Sequence, residues 1–309
     1  MTQAPTRRGV GLTSAAARAS TAELLRKVRR VELNARRLLN NHFLGEYRSV
    51  FKGRGIDFVD NREYAPGDDV RAINWPVSAR MHATFVKQFE EERQLTVFLL
   101  VDVSASAMFG SSGRSKLSVA TEMAAVLGFA AIRSHDRVGL LAFTNRVEKY
   151  LPPRAGRQHM LLLIRELVAI EPEAPATDIG AALSFLGHVQ RKTAVVFVLS
   201  DYYAENFALP LRVAARRHDL VALAITDPTE LELPEAGLVR VEDAETGQSI
   251  LVDAGDKGVR QRYARLASQA RILRDSQFAA ANVDAIEVRT DEPCVKPLLR
   301  ILRRRERRK

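Results

Sequence analysis

Leu95-Thr-Val-Phe-Leu-Leu-Val-Asp-Val-Ser-Ala-Ser106 decides the fold. Residues 95–101 form a nearly unbroken apolar run of strand length, as expected of a strand covered on both faces. Asp102, Ser104 and Ser106 follow where that strand ends. Working outward, residues 117–132 are Ala-rich, with apolar side chains at 117, 120, 124, 127 and 131, which predicts a helix with a buried face. Residues 138–143, 194–199 and 220–225 read as further buried strands, and 147–151 as a strand pairing nearby. Helices are expected over 158–168, 179–189, 207–217 and 259–280. Residues 239–242 and 249–252 flank Asp243-Ala-Glu-Thr-Gly247 as a hairpin. Residues 284–288 give a last strand, and a basic helix begins near Pro297. Strands alternating with helices at this spacing predict an α/β fold, a mostly parallel sheet between helices.

The N-terminal side reads differently. Residues 1–20 are small and polar, and are expected to be disordered. Leu24, Val28, Val31, Ala35 and Leu38 recur at helical spacing among arginines, so this is an amphipathic basic helix. Its apolar stripe is expected to pack on the body; its basic face offers a surface to anionic lipid or an acidic partner. From Gly45 to Glu92 the pattern changes: residues 53–75 have no helical period and are crowded with Gly, Pro, Asp and Asn, which predicts turns joining short strands. Asp57, Asp60, Arg62, Glu63, Asp68, Asp69, Arg71 and Arg80 read as an internal salt-bridge network, and Trp75 as the anchor of this irregular, β-containing extension. The organisation expected is residues 1–20 as a disordered start, 21–94 as basic helix and extension, 95–295 as the α/β domain, and 296–309 as a basic helix or tail.

Composition narrows the function classes. The chain has 309 residues, 46% of them hydrophobic, enough for a packed core. No run approaches the length of a membrane-spanning helix, and the first twenty residues lack a signal-peptide core. One cysteine, Cys294, forms no internal disulfide and no cysteine metal cluster; it reads as a packed thiol. A cytoplasmic protein is expected, with peripheral attachment at the inner membrane left open. The net charge of +10 invites a nucleic-acid reading. Yet residues 1–40 carry +7 and residues 296–309 another +7, which leaves −4 for the body. No aromatic side chains interleave with the basic segments to stack bases.

The chemistry lies in the body. Asp102-x-Ser104-x-Ser106 sets one carboxylate and two hydroxyls at the carboxyl end of a parallel strand, where open α/β sheets present their sites. Thr177, at the start of a later helix, and Asp201, at the end of another strand, join them from two more loops. Asp178 adjoins Thr177, and the sequence leaves open which of the two faces an ion. All these donors are hard oxygens, which suits Mg²⁺ and allows Mn²⁺ or Ca²⁺. The bland alternative is that Ser104, Ser106 and Thr177 cap helices. Gly110-Ser-Ser-Gly113-Arg-Ser-Lys116 looks like a phosphate loop but lacks Gly before the lysine, and reads as a flexible loop beside the site. A haloacid-dehalogenase nucleophile at Asp102 is disfavoured because Ser104 stands where a second aspartate is needed. The six histidines form no metal-spaced cluster.

Asp102, Ser104, Ser106, Thr177 and Asp201 resemble the metal-ion-dependent adhesion site of von Willebrand factor A-type domains. Arg54-Gly-Ile-Asp-Phe-Val and Arg62-Glu-Tyr-Ala-Pro-Gly-Asp-Asp-Val-Arg-Ala-Ile-Asn-Trp75 look like the signature of the bacterial domain-of-unknown-function family fifty-eight. The resemblance covers residues 45–300. It implies a von Willebrand factor A-like, Rossmann-type sheet and a bound divalent ion, Mg²⁺ first, held by those five residues. It implies a non-enzymatic module that binds a client's acidic residue through the metal. It also implies a MoxR-type AAA+ ATPase as partner, in chaperone-like assembly or maturation of clients. The chain departs from many members in having no N-terminal membrane helices. Two further readings stand beside this one: nucleic-acid or anionic-membrane binding through the basic termini, and a metal-dependent hydrolase, for which no general base is identifiable.

Overall fold

A computed structural model describes residues 11–39, 41–51, 57–81, 83–90, 94–204 and 206–308. In chain order the elements are α1 (Gly11–Leu38), α2 (Asn41–Val50), β1 (Asp57–Glu63), α3 (Trp75–Met81), β2 (Phe85–Glu90), β3 (Thr96–Asp102), α4 (Lys116–Arg133), β4 (Arg137–Phe143), β5 (Val147–Arg154), α5 (Arg157–Ala169), α6 (Ile179–Val189), β6 (Val195–Ser200), α7 (Ala208–Ala215), β7 (Asp219–Thr226), α8 (Pro228–Leu231), β8 (Leu238–Glu242), β9 (Ser249–Asp253), α9 (Lys257–Ala280), β10 (Asp284–Arg289) and α10 (Val295–Glu306).

The fold is mixed α/β around a mostly parallel six-stranded sheet of order β10-β7-β6-β3-β4-β5. Only β5 runs antiparallel, along β4, at one edge. The apolar run that opens the domain lies at the sheet's centre, with β4 on one side and β6 on the other. Its side chains alternate between two cores, following the strand period of two. Val97, Leu99 and Val101 face a layer built from α1, α2, α4, α5 and α10. Phe98 and Leu100 face α6, α7 and α9. Burial on both faces explains why these strands are apolar throughout rather than alternating.

The chain runs from β3 to β4 and β5 on one side, then returns to place β6 on the other side of β3. The strand order therefore reverses between β3 and β6. At such a reversal the two carboxyl ends diverge and leave a crevice, where α/β sheets bind ligands.

The termini hold several departures. α1 begins at Gly11, so half of the start expected to be disordered is helical; residues 1–10 lie outside the described residues. The helix packs as its period predicts, with Val28 and Ala35 buried and Leu24, Val31 and Leu38 against the same core. In the extension, β1 and β2 pair antiparallel, with α3 between them. Residues 52–56, which include Arg54, lie outside the described residues. Of the expected salt-bridge network, the described residues hold the bidentate Arg62–Asp68 pair, at 2.8 and 2.5 Å. Asp69 instead accepts the Arg71 amide at the start of a short 3₁₀ turn. Trp75 is not a buried anchor: it is 66% exposed. A two-stranded ribbon and a seven-residue helix with no buried residue are too thin to enclose an indole.

Candidate functional site at the sheet's reversal point

β3 ends at Asp102, which is buried. Its Oδ1 accepts the Ser104 amide at 3.0 Å, and its Oδ2 accepts the Ser200 hydroxyl at 2.6 Å. Ser200 closes β6, so this bond spans the crevice at the reversal. Ser104 and Ser106 share a hydroxyl–hydroxyl hydrogen bond of 3.1 Å. Asp102, Ser104 and Ser106 thus gather as the sequence suggests, with Ser200 as an added member. Burial pushes the Asp102 carboxyl up to about 6, and the neighbouring charge of Asp201 adds to the rise against the hydrogen bonds from Ser200 and Ser104. Among the described residues no basic side chain pairs with Asp102.

Asp201 lies beside Ser200, but its charge is already answered. Its Oδ2 meets Lys116 Nζ at 2.5 Å, and its Oδ1 accepts the Tyr203 amide at 3.0 Å. Lys116 is buried and also meets Glu230 Oε1 at 2.6 Å. Burial works against the ammonium, yet the charges of Asp201 and Glu230 prevail and hold it above the usual lysine range. Asp201 and Glu230 therefore share one ammonium, and Asp102 beside them has none among the described residues.

Thr177 arrives on the loop before α6. The Pro175 carbonyl accepts the Ala105 amide at 2.9 Å, which ties this loop to the serines. The Thr177 hydroxyl donates to Glu245 Oε1 at 2.6 Å, and its amide to Oε2 at 3.3 Å. Asp178 caps α6 by accepting the Ala181 amide at 2.8 Å, and it is exposed. Of the two neighbours, Thr177 is the one turned toward the hairpin that borders the site.

The loop of residues 110–116 is fastened rather than free. Asp227, at the end of β7, accepts the Ser111 amide at 2.9 Å and hydroxyl at 2.6 Å. It also accepts the Thr290 hydroxyl at 2.7 Å and the Thr229 amide and hydroxyl at 3.0 and 2.7 Å. Burial alone would raise this carboxyl, but those donors outweigh it and hold it far below the usual range. A Cβ at Gly110 would run into the Arg114 carbonyl, so the tight loop requires glycine there.

Four members of this neighbourhood escape the sequence reading: Lys116, Ser200, Glu230 and Glu245. Glu230 carried a local signal, since Asp227-Pro-Thr-Glu230 is a capping box with proline in the first turn. Glu245 carried none, because its role comes from a contact 68 residues away.

Among the described residues no three carboxylate, imidazole or thiolate groups gather to hold a metal. A cation here would rest on two carboxylates and several hydroxyls, and that donor set fits a hard divalent ion. The excess of buried negative charge around Asp102 fits it too.

The family model described as "Protein of unknown function DUF58" matches residues 60–272. Uncharacterized protein Rv1480 of Mycobacterium tuberculosis is 31% identical over 289 residues, 92% of this chain and 90% of that protein. Uncharacterized protein YeaD of Bacillus subtilis is 25% identical over 181 residues, 59% of this chain and 42% of that protein. Among solved structures, the conserved hypothetical protein BatB from Bacteroides thetaiotaomicron aligns with a TM-score of 0.43 at 16% identity, over 69% of this chain and 99% of that one.

Proposed function

The chain belongs to the DUF58 family, and from that premise we propose that its body is a von Willebrand factor A-like, non-enzymatic module that binds partner proteins through a divalent cation. One observation carries this reading. The crevice at the sheet's reversal holds Asp102 bridged to Ser200, with the Ser104 and Ser106 hydroxyls beside it and a carboxyl that has no cationic partner among the described residues. Asp102 supplies the negative pole. Ser104, Ser106 and Thr177 supply neutral oxygens, which hold a cation without cancelling its charge. Asp201, balanced by Lys116, stands behind them and adds field rather than a full free charge. When bound, Mg²⁺, or Mn²⁺ or Ca²⁺ in its place, supplies an electrophilic centre for a carboxylate brought by a client.

The partner machine in this reading is a MoxR-type AAA+ ATPase, and the setting is chaperone-like maturation on the cytoplasmic side, with peripheral membrane contact through the basic ends. No helix among the described residues is long and apolar enough to cross a membrane. The test is affinity capture of that ATPase from cells encoding both proteins. Capture should be strong in Mg²⁺ and lost in EDTA, and Asp102→Ala should lose it in both. Equal recovery under all these conditions sinks the proposal.

A further inference from the structure

The Asp243–Gly247 turn of the β8–β9 hairpin is built to hold one side chain in place. Asp243 Oδ1 accepts the Glu245 amide at 2.9 Å, its Oδ2 accepts the Thr246 hydroxyl at 2.7 Å, and Gly247 takes a positive φ of 70° to close the turn. The side chain so presented is Glu245, and both its oxygens engage Thr177. Ser200 donates its hydroxyl to Asp102 inside the site, whereas Thr177 donates its hydroxyl to a carboxylate carried on the bordering hairpin. Beneath the hairpin lies a cleft of about 920 Å³ that runs from Ser106 and Asp201 to Glu245. Its lining includes Met108, Phe109 and Tyr203, which are 43%, 44% and 46% exposed. These three apolar or aromatic side chains are gathered in one cleft beside a polar site rather than scattered, the arrangement that marks an interaction surface.

We infer that Glu245 occupies, from within the chain, the seat of an incoming partner's carboxylate, and that the partner docks in the cleft beneath the β8–β9 hairpin with apolar side chains flanking that carboxylate. The inference rests on the proposed cation site and names the partner chemistry it accepts. Exchanging one carboxylate for another at Thr177 leaves the charge of the site unchanged, so the crowded negative field does not oppose the swap. The apolar flanks supply the net gain, by covering Met108, Phe109 and Tyr203. A carboxylate tethered on a short turn competes at an effective concentration in the millimolar range. A weak ligand in trans is therefore suppressed until Glu245 is removed or the hairpin is drawn aside.

The probe is an N-acetylated, C-amidated Leu-Glu-Leu tripeptide, with Leu-Gln-Leu as its neutral control. Binding is measured by ligand-observed NMR to wild type, Glu245→Ala, and Glu245→Ala combined with Thr177→Val, in saturating Mg²⁺ and in EDTA. Mn²⁺ binding by each variant is followed separately by electron paramagnetic resonance. Glu245→Ala should bind the Glu peptide about tenfold more tightly than wild type, Thr177→Val should cancel that gain, and the Gln peptide should bind to none. Equal affinity in wild type and Glu245→Ala, or no binding to either while Mn²⁺ still binds, overturns the inference and leaves the cation site standing. A tenfold gain that persists in EDTA, with no Mn²⁺ bound, keeps the seat and removes the cation. Absence of both peptide and Mn²⁺ binding removes both.

Discussion

Asp102 carries the clearest consequence of a single side chain. Its carboxyl stands at about 6 in the folded chain, against ~3.9 for an unfolded aspartate. A folded-state value above the unfolded one means stability that is full below the unfolded value and lost as pH rises through the folded value. Metal-free protein should therefore lose stability relative to Asp102→Asn between about pH 4 and pH 6, by on the order of 3 kcal/mol, and then run level. Urea denaturation of both proteins in EDTA across that range reads the difference; parallel curves would contradict a desolvated, unpaired carboxylate. Asp102, Ser104 and Ser106 were legible because a buried strand announces its own end, and polar residues placed there must face the sheet's edge. Lys116 was not legible. Lysine before an Ala-rich helix normally means a solvated first turn, and only the fold shows it buried between Asp201 and Glu230. Trp75 misled in the opposite sense, since the size of an indole says nothing about whether its neighbours can cover it.

Elements were read more surely than the contacts between them. Residues 179–189 were expected as a helix and form one over that same span, and the other body strands and helices fall within a few residues of expectation. Periodicity fixes these because each element must bury a defined face. It fixes poorly the pieces too short to show a period, such as the four residues of α8. Nor does it reveal how loops are joined, and Asp227 shows the cost of that blindness. This one buried carboxylate joins the 110–116 loop, α8 and the end of β10 through five hydrogen bonds from Ser111, Thr229 and Thr290. Asp227→Ala leaves those donors facing a cavity. It should lower stability by about 3 kcal/mol, the size expected when charge-assisted hydrogen bonds are broken in a buried setting. Thermal and urea denaturation check the loss. A change within the ±0.5 kcal/mol typical of surface sites would mean that water replaces the carboxylate without strain.

At the scale of the whole molecule, the charge of +10 acquires a direction. The two basic ends are far apart in sequence, yet α1 and α10 both lie on the face of the sheet that carries α4 and α5. The ends differ in how much charge they leave free. In α10 and the residues just after it, Arg303 meets Glu46, Arg304 and Arg308 meet Asp284, and Arg305 meets both Asp219 and Asp284, so much of that charge answers the acidic body. Arg26, Arg29, Arg30 and Arg37 of α1, Lys296 and Arg300 of α10, and Arg307 just beyond it are exposed and have no ion-pair partner among the described residues. Those pairs tie the helix to the acidic body, while the unpaired cations give this face a positive field. The candidate cation site lies at the carboxyl edge of the strands, not on this helical face, so the two surfaces can act independently. Reversing Arg26, Arg29, Arg30 and Arg37 to Glu should bring the protein off heparin at clearly lower salt, while the proposed Mg²⁺-dependent capture of an ATPase should not change. On duplex DNA, the slope of log affinity against log salt should shrink by about 0.9 for each phosphate contact removed. Arg304→Gln with Arg305→Gln should do the reverse, costing stability while changing elution little, because those charges are already spent inside the chain. If the four-fold reversal leaves the heparin elution where it was, the free face of α1 is not where polyanions bind.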